Sequence, residues 1–143
     1  PQMSSCFLVA MKDDMTVAVS AQIGLRLPAT ASALGRVVLS ALDDATLDRF
    51  LARTKPARLT PATVVDKSEI RKAILKVRKD GYALVDQGVE AGFRSIAVPL
   101  CRADGRTIAA LNIGAHSVPL ETMRKTLLPK LTAAADELRL QLI

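Results

Sequence analysis

The chain has 143 residues, a formal net charge of +6, two cysteines, one histidine and an aromatic fraction of 3%. This length suits one domain with an aliphatic core, and two cysteines in so long a chain argue against a disulfide framework. No apolar run approaches the roughly 18 residues that a membrane span needs, and no secretory signal is present, so we expect no membrane partner.

The chain opens with a predicted hairpin that leads into a helix. Residues 5–12 and 15–23 are apolar runs that flank Asp13 and Asp14, which suit a turn. A segment of small residues over 27–33 follows. The next apolar residues recur at helical spacing and give one apolar face, formed by Leu34, Val37, Val38, Ala41 and Leu42.

Two further helices are predicted, each with an acidic residue at its start. Asp43 can cap a short helix by accepting a hydrogen bond from a free backbone N–H. Asp66 and Glu69 have the spacing of a capping box, and Gly81 is typical of the position after a last helical turn. Residues 49–79 carry ten basic and two acidic side chains, a net charge of +8. This charge suits either a solvated helix face or a surface toward an acidic partner such as DNA.

The second half of the chain predicts three strands and a last helix. The strands are expected over residues 82–86, 94–101 and 107–114. Asp104 and Gly105 form a turn between the second and third of them. The helix begins near residue 120, and Pro129 removes one backbone donor, so we expect a kink or restart there. Its expected inner face carries Met123, Leu127, Leu131, Leu138 and Leu142.

The order of these elements predicts an α+β fold. Hairpins near both ends favour an antiparallel sheet, and helices packed behind it can bury one face. The other face can then curl into a cup.

Motifs for common enzymatic chemistry are absent from the sequence. There is no His/Cys cluster at metal-ligand spacing, no glycine-rich phosphate loop and no Gly-x-Ser-x-Gly elbow, so we expect no metal and no cofactor. A Ser–His–Asp triad would have to use His116, the one histidine. A small hydrolase or transferase with Ser95 as nucleophile therefore remains an alternative to a binding domain.

The stretch LPATASALGR, residues 27–36, raises the first possibility of a binding site. Its small side chains leave the first N–H groups of the next helix accessible, and helix N-termini attract anions. The other explanation is structural, with Ser32 as a simple cap and Gly35 present for close packing. Arg26 and Arg94 offer fixed positive charge for a carboxylate.

Two strands add polar side chains to this possible site. Ser95 stands where one strand begins, and Asn112 interrupts another strand that is otherwise apolar. A hairpin centred on residues 104–105 pairs positions whose numbers sum to roughly 208, which brings Asn112 close to Ser95. A buried amide needs a partner or a ligand, so we predict a small polar spot in an aliphatic cup.

Three segments of the chain resemble those of the IclR-type bacterial transcription regulators. LPATASALGRVVLSAL resembles their "LP…ATA-x-G-[KR]-x-x-L-A" segment. GYALVDQGVEAGFRSIAVPL resembles "GYA…D-x-E…G-x-x-[SC]-[IV]-A-x-P", and IAALNIGAH resembles their "AA-[LI]-[NS]" strand. The order and spacing agree across essentially the whole chain. TPATV and GYALVDQ are most similar to the β-ketoadipate/protocatechuate (Pca/Pob) branch.

The resemblance implies a GAF-like effector-binding domain over residues 1–143, with a curved antiparallel sheet, helices and a cup-shaped pocket. It also implies a winged helix-turn-helix DNA-binding domain before Pro1, a homodimer or tetramer, and a cytoplasmic location. The implied ligand is a small aromatic or dicarboxylic acid that modulates DNA binding by the full-length protein. Carried over by position, the pocket comprises the backbone at Ala33 and Leu34, then Asp86 or its neighbour Val85, and Ser95, Asn112 and Gly114.

The chain departs from the family pattern at several of these positions. Val85 stands where some members have an acid, and Ser95 where some have cysteine. Asn112 and Gly114 stand where some have two serines. The identity of the effector therefore does not follow from the resemblance, and an oligomerisation module with a vestigial cup remains a further hypothesis.

Overall fold

A computed structural model describes residues 27–142. The predicted N-terminal hairpin and Arg26 lie outside the described residues. In chain order the elements are α1 (Ala33–Ser40), α2 (Asp44–Arg53), α3 (Lys67–Asp80), β1 (Ala83–Asp86), β2 (Phe93–Cys101), β3 (Thr107–His116), α4 (Leu120–Thr122), a π-helical turn (Met123–Leu127) and α5 (Leu128–Arg139). None of the helices within residues 27–142 is long and apolar enough to cross a membrane.

The first three helices begin at side-chain caps. The bonds are Gly35 N–H to Ser32 Oγ (3.1 Å), Thr46 N–H to Asp43 Oδ1 (2.7 Å) and Glu69 N–H to Asp66 Oδ1 (3.0 Å). Gly81 follows α3 in the left-handed conformation, with φ of 81°. The predicted caps at Asp43 and Asp66 are therefore confirmed. α1 ends before the predicted Ala41 and Leu42, because Asp43 must adopt an extended backbone to cap α2.

The three strands form an antiparallel sheet in the order β1-β2-β3. Residues opposite each other on neighbouring strands point to the same face, so the register decides which side chains meet. Val85 on β1 lies opposite Ser95 on β2, and Ser95 lies opposite Gly114 on β3. Asn112 lies opposite Ala97, on the same face.

α1 and the last helical region cover opposite faces of this sheet. On what we call the α1 face, Ala83, Val85 and Ala97 pack against buried residues of α1 and α3, which are Ala33, Leu34, Val37 and Val77. On the α5 face, Ile96 and Val98 pack against Met123, Leu131 and Ala135. A third apolar cluster joins α1, α2 and α3 through Leu39, Leu47, Leu51, Ile70 and Ile74. The sheet is therefore sandwiched between helices.

The last helical region restarts where Pro129 predicts it. The π-helical turn ends at Leu127, and α5 then begins with the proline in its first turn, where a missing N–H is tolerated. Met123 and Leu131 are buried as expected, but Leu138 is 38% exposed and its predicted place in the core is wrong. Arg139 Nη2 lies 3.5 Å from the carbonyl oxygen of Ala103. The last turn of α5 therefore lies beside the loop between β2 and β3, beyond the apolar part of the sheet.

Acidic neighbours offset much of the charge on the basic segment 49–79. The ion pairs are Arg71–Asp48 (2.7 Å), Lys72–Glu69 (3.0 Å), Lys76–Asp80 (2.5 Å) and Arg78–Asp44. Three of these four acids lie just outside the segment. Residues 43–80 together hold ten basic and six acidic side chains, a net charge of +4 instead of +8. This pairing favours the interpretation of a solvated helix face.

Candidate functional site

Gly35, in the first turn of α1, is required by close backbone packing against the preceding loop. A Cβ on Gly35 would lie 2.2 Å from the Ala29 carbonyl oxygen, so no other residue fits there without moving the loop. The loop itself is a tight turn, in which the N–H groups of Ala31 and Ser32 both donate to the Pro28 carbonyl at 3.1 Å. The structural explanation of this stretch is thus correct for Gly35 and for the Ser32 cap.

Two backbone donors at the start of α1 have no acceptor among the described residues. Ala33 and Leu34 are only 1% and 5% exposed. Their N–H groups have no hydrogen-bond partner within residues 27–142, because the Ser32 cap reaches only the N–H of Gly35. Unpaired donors at a helix N-terminus favour an anion. The two predicted backbone positions thus lie at the start of α1 with no hydrogen-bond acceptor among the described residues.

The sheet presents Ser95, Asn112 and Gly114 on its α1 face. At the turn, Cys101 pairs with Thr107, so the numbers of the paired residues sum to the expected 208. A β-bulge between Leu100 and Cys101 raises this sum to 209 for the pairs along the rest of the hairpin. A shift by one residue decides the face, and here it puts Ser95 and Asn112 together. Ser95 is 7% exposed, and its hydroxyl makes no hydrogen bond to the described residues.

Two polar atoms on β3 are buried and lack a hydrogen-bond partner within residues 27–142. The amide oxygen of Asn112 and Nε2 of His116 make no hydrogen bond within the described part of the chain. The two residues are four apart on one strand, so both belong to the α1 face. Buried polar atoms are nearly always paired, so two such exceptions on one face of the sheet are unusual.

His116 shares the α1 face with Asn112, whereas the sequence suggests it only as a possible triad base. The expected strand stopped at Gly114, but β3 continues to His116. With this strand end, the alternation of side chains along β3 places Asn112, Gly114 and His116 on one face. Its ring lies against Phe93, with centroids 5.2 Å apart, and its Nε2 is 4.0 Å from Glu90 Oε2. No hydrogen bond joins it to Ser95, so the nucleophile–base contact that a hydrolase needs is not formed between these two side chains.

Phe93 also explains the glycine at position 114. A Cβ on Gly114 would lie 2.2 Å from Cζ of Phe93, so the aromatic ring covers the strand at this point. The ring and His116 together border one end of the polar spot.

The segment between β1 and β2 is fixed by two buried threonines. Thr60 Oγ1 donates to the Gln87 carbonyl at 2.5 Å, and Thr63 Oγ1 donates to the Gly88 carbonyl at 2.7 Å. A Cβ on Gly88 would lie 2.8 Å from Val85 Cγ1 and 3.3 Å from the Ala31 carbonyl. The loop therefore packs against the turn before α1 and borders the α1 face of the sheet.

Asp86 and Arg94 do not join this constellation. They lie opposite each other on β1 and β2, one residue out of phase with Val85 and Ser95, and therefore point to the α5 face. Arg94 Nε donates to Asp86 Oδ1 at 2.7 Å, and Arg94 Nη1 donates to the Val118 carbonyl at 2.7 Å. The register therefore separates both residues from Ser95, and Val85, the predicted alternative to Asp86, is the residue of β1 that shares the face. Within residues 27–142 no His, Cys, Asp or Glu cluster is placed to hold a metal ion.

Comparison with known proteins identifies the family. Residues 6–140 match the family described as "Bacterial transcriptional regulator IclR C-terminal". The chain belongs to this family. The IclR-type domain has the expected α+β class, and membership favours a regulatory role over the hydrolase or transferase alternative.

Individual relatives place this IclR-type domain in the Pca/Pob branch. It is 38% identical over 128 residues to the Pca regulon regulatory protein of Pseudomonas putida, covering 88% of this chain and 44% of that protein. It is 37% identical over 119 residues to the p-hydroxybenzoate hydroxylase transcriptional activator of Acinetobacter baylyi, covering 82% and 44%. The chain thus spans less than half the length of these relatives.

A solved structure supports the same branch. The domain resembles the inducer-binding domain of a double mutant of the PobR transcription factor from Acinetobacter, solved as a complex with 3-hydroxybenzoic acid. The TM-score is 0.82 at 35% identity, and the match covers 89% of this chain and 74% of that one.

Proposed function

We propose that this domain senses a small organic acid and binds it on the α1 face of the sheet, below the start of α1. The observation that carries the proposal is the pair of buried, unpartnered polar atoms, Asn112 Oδ1 and His116 Nε2, on the face that also holds Ser95. A ligand that bonded to them would remove the cost of leaving them unpaired, which is about 1–3 kcal/mol for each group.

The available groups suit a carboxylate at one end of the ligand. The free N–H groups of Ala33 and Leu34 lie at the positive end of the α1 dipole, where they can donate to carboxylate oxygens. The Ser95 hydroxyl is a further donor. The alanines and valines around these groups would contact the carbon body of the ligand.

The Asn112 oxygen sets a different requirement. It is an acceptor, so the ligand needs a donor such as a hydroxyl group at that point. A hydroxy acid meets both requirements, with its carboxylate at α1 and its hydroxyl on β3. The 3-hydroxybenzoic acid bound by the PobR relative belongs to this chemical class, so we propose hydroxylated aromatic acids as first candidates and dicarboxylic acids as second.

We further propose that this domain is one part of a cytoplasmic, homo-oligomeric regulator. A winged helix-turn-helix domain would precede it and bind DNA, since the relatives are regulators more than twice as long as the match. Ligand binding would favour one arrangement of the oligomer and so set the spacing of two DNA-binding domains. Such coupling is typically worth about 1–3 kcal/mol.

Calorimetry with a panel of hydroxybenzoates and dicarboxylates tests the proposal. We expect at least one acid to bind and Asn112→Leu to weaken it by about tenfold or more, because a buried hydrogen bond to the ligand is lost. Asp86→Asn, on the other face, is the matched control and should leave the affinity unchanged. Unchanged binding to Asn112→Leu would overturn the site, and no binding by any acid would favour an oligomerisation module.

A further inference from the structure

A second cleft lies away from the polar spot, between α1, α3, β1 and the π-helical turn. Its volume is about 170 Å³, and its lining includes Arg36, Lys76, Asp80, Tyr82, Asp86 and Arg124. We propose that this cleft binds a small oxyanion, a carboxylate or a phosphate group, between the guanidinium groups of Arg36 and Arg124.

Arg36 is a buried cation without a counter-ion among residues 27–142. It is 9% exposed, and its one side-chain hydrogen bond within residues 27–142 runs from Nε to the Thr30 carbonyl at 3.0 Å. No described carboxylate lies within ion-pair distance of it, and burial lowers the pKa of its guanidinium below the usual value. A guanidinium has five N–H donors, so most of the bonding capacity of Arg36 is unused among the described residues. An uncompensated buried charge is costly, which favours an anion there.

The other charges of the cleft leave a positive excess. Both acids of the lining already have cationic partners, since Asp80 accepts from Lys76 at 2.5 Å and Asp86 accepts from Arg94 at 2.7 Å. Arg124 is exposed and forms no ion pair with the described residues, and the nearby Glu121 pairs with Lys125 instead. Two guanidinium groups that form no ion pair with the described residues therefore line one cleft. Their planar fork of donors matches the oxygens of a carboxylate or phosphate.

The position of Arg124 gives a second reason to regard the cleft as a site. It belongs to the π-helical turn Met123–Leu127, and such turns occur frequently at functional sites because the extra residue redirects side chains. Here the turn presents Arg124 toward the cleft while Met123 stays fully buried.

The size of the cleft limits the ligand. Pockets for drug-sized molecules measure roughly 300–1,000 Å³, so this cleft suits a smaller group. None of its lining residues is Ser95, Asn112 or His116, so it is distinct from the proposed effector site. Ala73, Val77, Leu84 and Leu120 supply the apolar parts of its walls.

Tyr82 provides a direct readout of occupancy. It is the one tyrosine in a chain without tryptophan, and it lines the cleft. We would titrate the chain with sodium phosphate and, separately, with sodium acetate at constant ionic strength, and follow tyrosine fluorescence. The expected result is a saturable change, and tighter binding of one salt identifies the class of oxyanion.

Three variants make the experiment decisive. Arg124→Gln should raise the dissociation constant by about tenfold or more, because a charge-assisted bond is lost at an exposed position that the fold does not need. Arg36→Met should abolish the response, provided that circular dichroism shows a folded chain. Arg102→Gln removes the same charge from the β2–β3 loop and should change nothing.

The proposal is overturned if neither salt gives a saturable change in the folded wild-type chain. It is also overturned if Arg124→Gln and Arg102→Gln behave alike, since the effect would then be one of net charge. Asn112→Leu should leave the Tyr82 response intact, so failure of the proposed effector site is distinguishable from failure of this cleft.

Discussion

Arg94 connects three elements of the fold through one guanidinium group. Its Nε donates to Asp86 Oδ1 at 2.7 Å across β1 and β2, and its Nη1 donates to the carbonyl of Val118, just before α4, at 2.7 Å. Both side chains of the ion pair lie on the α5 face, away from Ser95. The charge that resembled a ligand-binding group in the sequence therefore holds the last helical region on the sheet.

Replacing Arg94 should cost stability and leave ligand affinity alone. For Arg94→Gln we expect the free energy of unfolding to fall by about 1–2 kcal/mol, because two charge-assisted hydrogen bonds are weakened at a partly exposed site. Asp86→Asn should cost less, about 0.2–1 kcal/mol, since the bond to Val118 remains. Urea unfolding measures both values. Lost effector binding in a fully stable Arg94→Gln variant would contradict this assignment.

Gly35 and Gly81 should respond very differently to alanine. Gly35→Ala puts a methyl group 2.2 Å from the Ala29 carbonyl oxygen, and backbone cannot move as a side chain can. We expect a loss of about 3 kcal/mol or more. A Cβ on Gly81 would contact nothing, so the only penalty for alanine there is the left-handed backbone with φ of 81°. We expect Gly81→Ala to lower the free energy of unfolding by about 1 kcal/mol. Equal losses in urea unfolding would show that the turn before α1 can relax.

Local chemistry explains which parts of the fold were predictable. Asp66, Glu69 and Gly81 act within one helix, so its start and end follow from the sequence alone. Ser95 and Asn112 share a face because of the β-bulge at Leu100. No short sequence pattern indicates this bulge. The cleft at Arg36 was also missed, because it is assembled from helices and strands that are distant in sequence.

Gly114 and Phe93 should behave as a coupled pair. Gly114→Ala forces the Phe93 ring to move, since the new Cβ would lie 2.2 Å from Cζ, and we expect a cost of about 1–3 kcal/mol. Phe93→Leu removes the obstructing end of the ring. In the double variant, Gly114→Ala should therefore cost less than it does alone, as a double-mutant cycle of urea unfolding would measure. Additive costs would mean that the two side chains do not compete for this space.

Stability should decline in acid because of the carboxylates that cap helices. Hydrogen bonds from the hydroxyl and the backbone N–H of Thr46 lower the pKa of Asp43. Hydrogen bonds from the Glu69 backbone N–H and the Ser68 side chain likewise lower the pKa of Asp66. A carboxyl group with a lowered pKa in the folded state stabilises the fold above its unfolded pKa of about 3.9. That contribution is lost as the pH falls through the folded value.

Asparagine at a capping position isolates this effect. Asp66→Asn keeps a capping oxygen but cannot titrate, so its melting temperature should fall less steeply than that of the wild type between about pH 5 and pH 3. Thermal melts followed by circular dichroism give the two slopes. Asp136→Asn is the control, because Asp136 is exposed on α5 and accepts no hydrogen bond from the described residues; its slope should match the wild type. If the Asp66→Asn slope also matches, the cap does not contribute to the acid sensitivity of the fold.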